Sequence, residues 1–139
     1  MFLLDTDTLS LLHAGNPNVT AKANRVDPSE VATTIITRIE ILRARFDFVL
    51  KAMDGNQIQR AQKWLEKSDD LLRKIQIVPL DPASAEIFDR VREVRTLRKI
   101  GRADLLIASI ALSRRATLVT RNLRHFRMVP NLLIEDWAA

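Results

Sequence analysis

Short apolar runs alternate along this chain with longer segments of helical spacing. Phe2 to Leu4 reads as a buried strand, with Asp5 at its C-terminal end. Asp7-Thr8 then looks like a helix start leading into Leu9, Leu11 and Leu12, stopped by Gly15-Asn16-Pro17. Asn18 to Val26 predicts a short helix that ends before Pro28. The β-branched stretch Ala32 to Ile36 predicts a second strand, and Thr37 to Leu50 a helix. After the break at Gly55-Asn56, the positions Ile58, Ala61, Leu65 and Leu72 recur at helical spacing as far as Arg73. Ile75 to Leu80 predicts a third strand, which Pro79 keeps short or places at an edge. Pro82 suits the first position of a helix whose apolar stripe is Ile87, Val91 and Val94, with Gly101 as its end. Ala103 to Arg114 predicts a strongly apolar, central helix. Thr117 to Thr120 and Leu132 to Glu135 complete the strands.

Strands alternating with helices argue for an α/β fold: about five strands in a largely parallel sheet, with helices on both faces. No linker, repeat or low-complexity segment interrupts the pattern, so residues 1–139 are read as a single domain. In such sheets ligands bind beyond the carboxyl ends of the strands, and candidate chemistry is sought there.

The composition narrows the chemistry. There is no cysteine, which removes disulfides, thiolate zinc sites and a Cys nucleophile, and which suits a reducing cytoplasm. Two histidines leave little for a His-rich metal site. The charge-free apolar run from Leu105 to Ser113 is far short of the ~20 residues of a membrane span. Asp5 and Asp7 interrupt the first apolar stretch, so no signal peptide is expected. Lys and Arg number 22 against 17 acids, and sixteen of the basic residues are arginine. From Arg90 to Arg127 there are eleven basic residues and only two acids, Glu93 and Asp104. Such a concentration either is a set of solvated helix faces or gathers a polyanion.

Asp5, Glu40, Asp104 and Asn122 all fall near strand ends or helix starts, and they converge at one rim if the strands are neighbours. Each also has a plain structural reading. Thr37-x-x-Glu40 has the form of a capping box. Asp104 complements a helix dipole, and Asp5 and Asn122 suit turns. Together they are less comfortable, because two carboxylates about 4 Å apart repel by about 4 kcal/mol at an effective dielectric of 20. A cation would relieve them, and oxygen-only ligands favour Mg²⁺ or Mn²⁺. An acidic cation site inside a basic domain suits phosphodiester hydrolysis.

Four motifs in order resemble the PIN-domain family, specifically its VapC-type toxins. They are Leu3-Leu4-Asp5-Thr6-Asp7-Thr8-Leu9, Thr37-Arg38-Ile39-Glu40-Ile41, Gly101-Arg102-Ala103-Asp104-Leu105-Leu106-Ile107-Ala108, and Val119-Thr120-Arg121-Asn122-Leu123-Arg124-His125-Phe126. Val129-Pro130-Asn131-Leu132 and Glu135-Asp136-Trp137 resemble the family ending. The resemblance implies a PIN fold and a Mg²⁺- or Mn²⁺-dependent endoribonuclease. It implies the toxin half of a type II toxin–antitoxin pair, held inactive by a VapB-like antitoxin, and a homodimer. Carried over by motif, Asp5 and Asp104 are the principal metal ligands, and Glu40 binds metal directly or through water. Asn122 takes the fourth catalytic position, where many relatives have Asp, and Asp7 replaces the usual Asn. Thr6 and Thr120 are candidates for orienting water or phosphate.

Arg98, Lys99 and Arg102 lead into the Asp104 motif and are favoured for RNA phosphate contacts, with Arg121 and Arg124 next. His13 and His125 are read as surface or hydrogen-bonding residues, with contact to substrate kept as the lesser alternative for His125, and Trp64 and Trp137 as packing residues. The helices from Thr37 and from Asn56 to Arg73 are candidate dimer or antitoxin surfaces. Two other classes compete. One is a PIN-like module that binds RNA or antitoxin without cutting, supported by Asn122. The other is a receiver-type signalling module, in which Asp81 would accept phosphate; the absence of any Lys beyond Lys99 argues against it.

Overall fold

A computed structural model describes all residues from Met1 to Ala139. Five strands form one parallel sheet: β1 (Phe2–Leu4), β2 (Val31–Thr34), β3 (Gln76–Val78), β4 (Thr117–Val119) and β5 (Leu133–Glu135), in the order β3-β2-β1-β4-β5. Seven helices connect them: α1 (Thr6–His13), α2 (Pro17–Asn24), α3 (Ile35–Lys51), α4 (Gly55–Arg73), α5 (Pro82–Val91), α6 (Arg102–Arg114) and α7 (Leu123–Phe126). β1 lies at the centre, and the chain switches sides between β3 and β4, leaving a crevice at the carboxyl ends of β1 and β4. A receiver-like sheet would place β3, not β4, beside β1, so this strand order excludes that class.

Alternation along the strands sets the two cores. Leu3, Ala32, Val78 and Leu118 face one cluster, where they meet Phe88, Ile107, Ile110 and Phe126. Leu4 and Val119 face the other, with Leu9, Val19, Ile41, Leu72 and Trp137. Leu3, Leu4 and Leu118 are fully buried, and truncating any one to alanine would cost about 2–5 kcal/mol. α6 is the most buried helix, as its apolar run requires. Its Ser109 hydroxyl donates back to the Leu105 carbonyl at 2.7 Å, so the one polar group on its buried face is satisfied.

Three expectations shift. The second strand stops at Thr34, two residues early. The Thr34 hydroxyl accepts from the Thr37 amide at 3.2 Å and starts α3, so Ile35 and Ile36 pack as helical residues. The helix after Pro82 ends at Val91, leaving Val94 outside the stripe and half-exposed, before a single 3₁₀ turn at Arg95–Leu97. Gly101 therefore does not close that helix but precedes α6 as its N-cap. Pro79 does lie just past an edge strand, as its missing amide hydrogen demands.

Candidate functional site

Asp5 is fixed first. Its amide donates to the Val119 carbonyl at 3.0 Å, which ties the end of β1 to β4. Its carboxylate caps α1, with Oδ1 accepting from the Thr8 amide at 2.9 Å. The side chain is only 8% exposed. Burial pushes its pKa above the usual carboxylate range, against the pull of the neighbouring Thr120 hydroxyl and the Thr8 groups, and the charge of Asp7 adds to the rise.

Glu40 comes from α3 and is half-buried. It is not the partner in a capping box: Thr34 holds the cap, and Glu40 Oε1 accepts from the Thr6 hydroxyl at 2.6 Å. Thr6 Oγ1 also lies 3.3 Å from Thr37 Oγ1. A hydroxyl from the first turn of α1 thus aims a carboxylate from α3 toward the end of β1.

Asp104 occupies the first turn of α6 and is half-buried. Burial raises its pKa most, and the charges of Glu40 and then Asp5 raise it further, with a smaller push from Asp7. His125 acts in the opposite direction. Asp104 on α6 thus feels the charge of both Glu40 on α3 and Asp5 at the end of β1. The three carboxylates stop short of closing up: no three His, Asp or Glu side chains are drawn together tightly enough to chelate an ion unaided. The donor set is nevertheless hard oxygen throughout, and a divalent cation would offset both the burial of Asp5 and Asp104 and their repulsion from Glu40. In donor chemistry the residues fit Mg²⁺ or Mn²⁺.

Asn122 follows β4. Its amide donates to Thr120 Oγ1 at 3.0 Å, and its side-chain Nδ2 lies 3.0 Å from His125 Nδ1. Thr120 is fully buried beside Asp5. Arg98, Lys99, Arg102, Arg121 and Arg124 are all exposed, and none enters an ion pair. Arg102 is the least free of them, with its guanidinium 5.8 Å from the Phe88 ring.

Three features escape sequence reasoning. The Thr6–Glu40 bond joins positions 34 residues apart, and no local spacing marks it. The Asn122–His125 pair is an i, i+3 contact on a four-residue helix whose pattern is too short to recognise. Trp64 is not a core residue. It stands 48% exposed in a groove between α3 and α4, under Arg45 at 4.3 Å and against Phe48 at 5.4 Å. Its fellow Trp137 is buried against Phe2 as expected, donating to Glu135 at 2.8 Å. The signal for Trp64 was available in the cluster of apolar residues Phe46, Phe48, Leu50 and Met53, more than the inner face of α3 and the turn after it can bury.

Comparison with known proteins bears on the family and the fold. The profile of the PIN domain matches residues 2–131. A relative from Salmonella typhimurium, described as a tRNA(fMet)-specific endonuclease VapC, is 24% identical over 138 residues, 98% of this chain and 97% of its own. The ribonuclease VapC2 of Rickettsia felis is 36% identical over 73 residues, a match that spans about half of each chain, 51% of this one and 54% of the other. Among solved structures, DNA-bound VapBC from Salmonella typhimurium superimposes with a TM-score of 0.76 at 26% identity, covering 98% of this chain and 97% of that one. VapBC2 from Rickettsia felis, bound to a promoter DNA fragment, gives 0.73 at 25% identity over 98% of both chains.

Proposed function

We infer the activity from the fact that this chain belongs to the PIN-domain family: it is a ribonuclease of the VapC type, the toxin of a VapBC toxin–antitoxin pair. What supports the reading most is that Asp5 ends the central strand β1 in the crevice beside β4, and that Asp104 feels the charge of both Asp5 and Glu40.

In this reading Asp5 and Asp104 would hold a Mg²⁺ or Mn²⁺ ion, with Glu40 as the third acid, direct or through water. When bound, such an ion neutralises charge on a phosphate and makes water a stronger nucleophile. The residues of the chain do the rest. Thr6 holds the Glu40 carboxylate toward the site. Thr120, which accepts from the Asn122 amide, supports Asp5 and Asn122 together. Arg98, Lys99, Arg102, Arg121 and Arg124 are unpaired cations that can receive RNA phosphates. Asn122 keeps the fourth position uncharged, which leaves three carboxylates to hold a single cation.

The partners are RNA and a VapB-like antitoxin. The groove between α3 and α4, lined by Phe48, Ala61 and Trp64, is an apolar surface suited to the antitoxin or to a second copy in a homodimer. No helix is long and apolar enough to cross a membrane. The lack of cysteine accords with a cytoplasmic site of action.

The test is RNA cleavage by purified protein with Mn²⁺. Asp5→Ala and Asp104→Ala are expected to abolish cleavage, and growth inhibition on expression, without unfolding the protein. Wild-type cleavage by either folded variant would remove the assignment.

A further inference from the structure

The end of β4 touches the first acid directly, the Asp5 amide donating to the Val119 carbonyl at 3.0 Å, and the chain runs on from there. Thr120 is buried, Asn122 is half-buried, and His125 is exposed. Phe126, only 1% exposed, and buried Val129 anchor α7 in the larger core, so His125 projects from a fixed base. It forms no ion pair, and its partner Asn122 is tied through its backbone amide to Thr120 Oγ1 at 3.0 Å, one residue beyond the carbonyl that holds Asp5. Its hydrogen bond is to Asn122, with Nδ1 at 3.0 Å from the amide nitrogen.

That contact selects a tautomer. An amide nitrogen can only donate, so Nδ1 accepts and the ring proton resides on Nε2. A ring held at Nδ1 by Asn122 keeps its Nε2–H free for another acceptor, and His125 is exposed. Arg121 and Arg124 flank this corner, both exposed and unpaired. Three carboxylates nearby repel an approaching phosphate, and donors at the rim are needed to counter them.

We propose that His125 contacts the substrate: held at Nδ1 by Asn122, it donates from Nε2 to a phosphate oxygen of RNA lying across the acidic site. Asn122 is then a positioning residue for the imidazole. The inference rests on the ribonuclease reading and assigns Asn122 and His125 to the RNA side of the site, with the carboxylates on the cation side.

The experiment compares wild type with His125→Ala, His125→Gln and His125→Asn in steady-state cleavage of a fluorophore–quencher single-stranded RNA of randomised sequence. Mn²⁺ binding is measured by calorimetry on the same proteins. Glutamine carries an N–H near the position of Nε2, whereas asparagine carries one near Nδ1. The Ala and Asn variants should lose about tenfold to hundredfold in kcat/KM, the worth of one hydrogen bond to a charged group, and Gln should stay within about fivefold of wild type. Mn²⁺ affinity should not change. Full activity in His125→Ala overturns the proposal. So does rescue by Asn but not Gln, which would make His125 only a clip for Asn122, and so does a loss of Mn²⁺ affinity. Asp104→Ala serves as the control. If it also cleaves normally, the ribonuclease reading fails; if it is dead while His125→Ala is fully active, only the substrate contact fails.

Discussion

The Thr6 hydroxyl donates to Glu40 Oε1 at 2.6 Å, the shortest link between the first motif of the chain and the second. It turns a carboxylate that belongs to one helix into part of a site built on another. Without it, Glu40 would be a mobile side chain on α3, repelled by Asp104 and free to swing into solvent.

Replacing Thr6 with valine keeps the shape and removes the donor. Cleavage at limiting Mn²⁺ should fall by about tenfold or more, in line with the loss of a hydrogen bond to a charged group. Saturating Mn²⁺ should recover part of the loss, and Thr6→Ser should stay near wild type. A titration of cleavage rate against Mn²⁺ concentration checks this. An unchanged curve for Thr6→Val would mean that Glu40 needs no clamp.

The raised pKa of Asp104 gives a stability prediction with a definite sign. Its folded value lies above the ordinary 3.8, mainly through burial and then through Glu40 and Asp5. The protonated form therefore favours folding below about pH 4, and that contribution is lost as pH rises through the folded value. Asp104→Asn removes the penalty. In metal-free buffer the melting temperature of wild type, relative to Asp104→Asn, should decline as pH rises above about 4. Mn²⁺ at neutral pH should raise the wild-type melting temperature and leave that of the variant nearly unchanged. A constant difference across pH, with equal responses to Mn²⁺, would contradict the placement of Asp104 among the acids.

The unpaired arginines should act through phosphate rather than base. Changing Arg98, Lys99 and Arg102 together to alanine should weaken RNA binding at low salt. The slope of log affinity against log salt should shrink by about 0.7 for each lost contact on a single strand. Binding isotherms at several salt concentrations, on the inactive Asp5→Ala background, measure that slope. An unaltered slope would return these residues to the status of solvated surface.

Much of this was legible in the chain itself, for identifiable reasons. β1, β4 and α6 are apolar segments of the right length with clear punctuation, and Asp5 and Asp104 sit at their ends, where α/β folds place chemistry. Glu40 carried a competing local explanation. The capping-box spacing from Thr37 is real, and Thr34 takes the cap only because the helix begins two residues earlier than its β-branched run suggests. Val94 followed the helical stripe in sequence yet lies beyond the end of α5, since periodicity alone does not mark a helix terminus. Thr6, His125 and the Trp64 groove depend on contacts between elements distant in sequence or too short to show a pattern, and the fold was required to reveal them.

The position of the bound cation is the most direct test of the acidic site. Crystals of the toxin soaked in Mn²⁺ and measured at the manganese absorption edge should give one dominant anomalous peak. It should be contacted by carboxylate oxygens of Asp5 and Asp104, with Glu40 bound directly or through one water. A peak held by other residues, or none at Asp5 and Asp104 in protein that cleaves RNA with Mn²⁺, would contradict the assignment of that site.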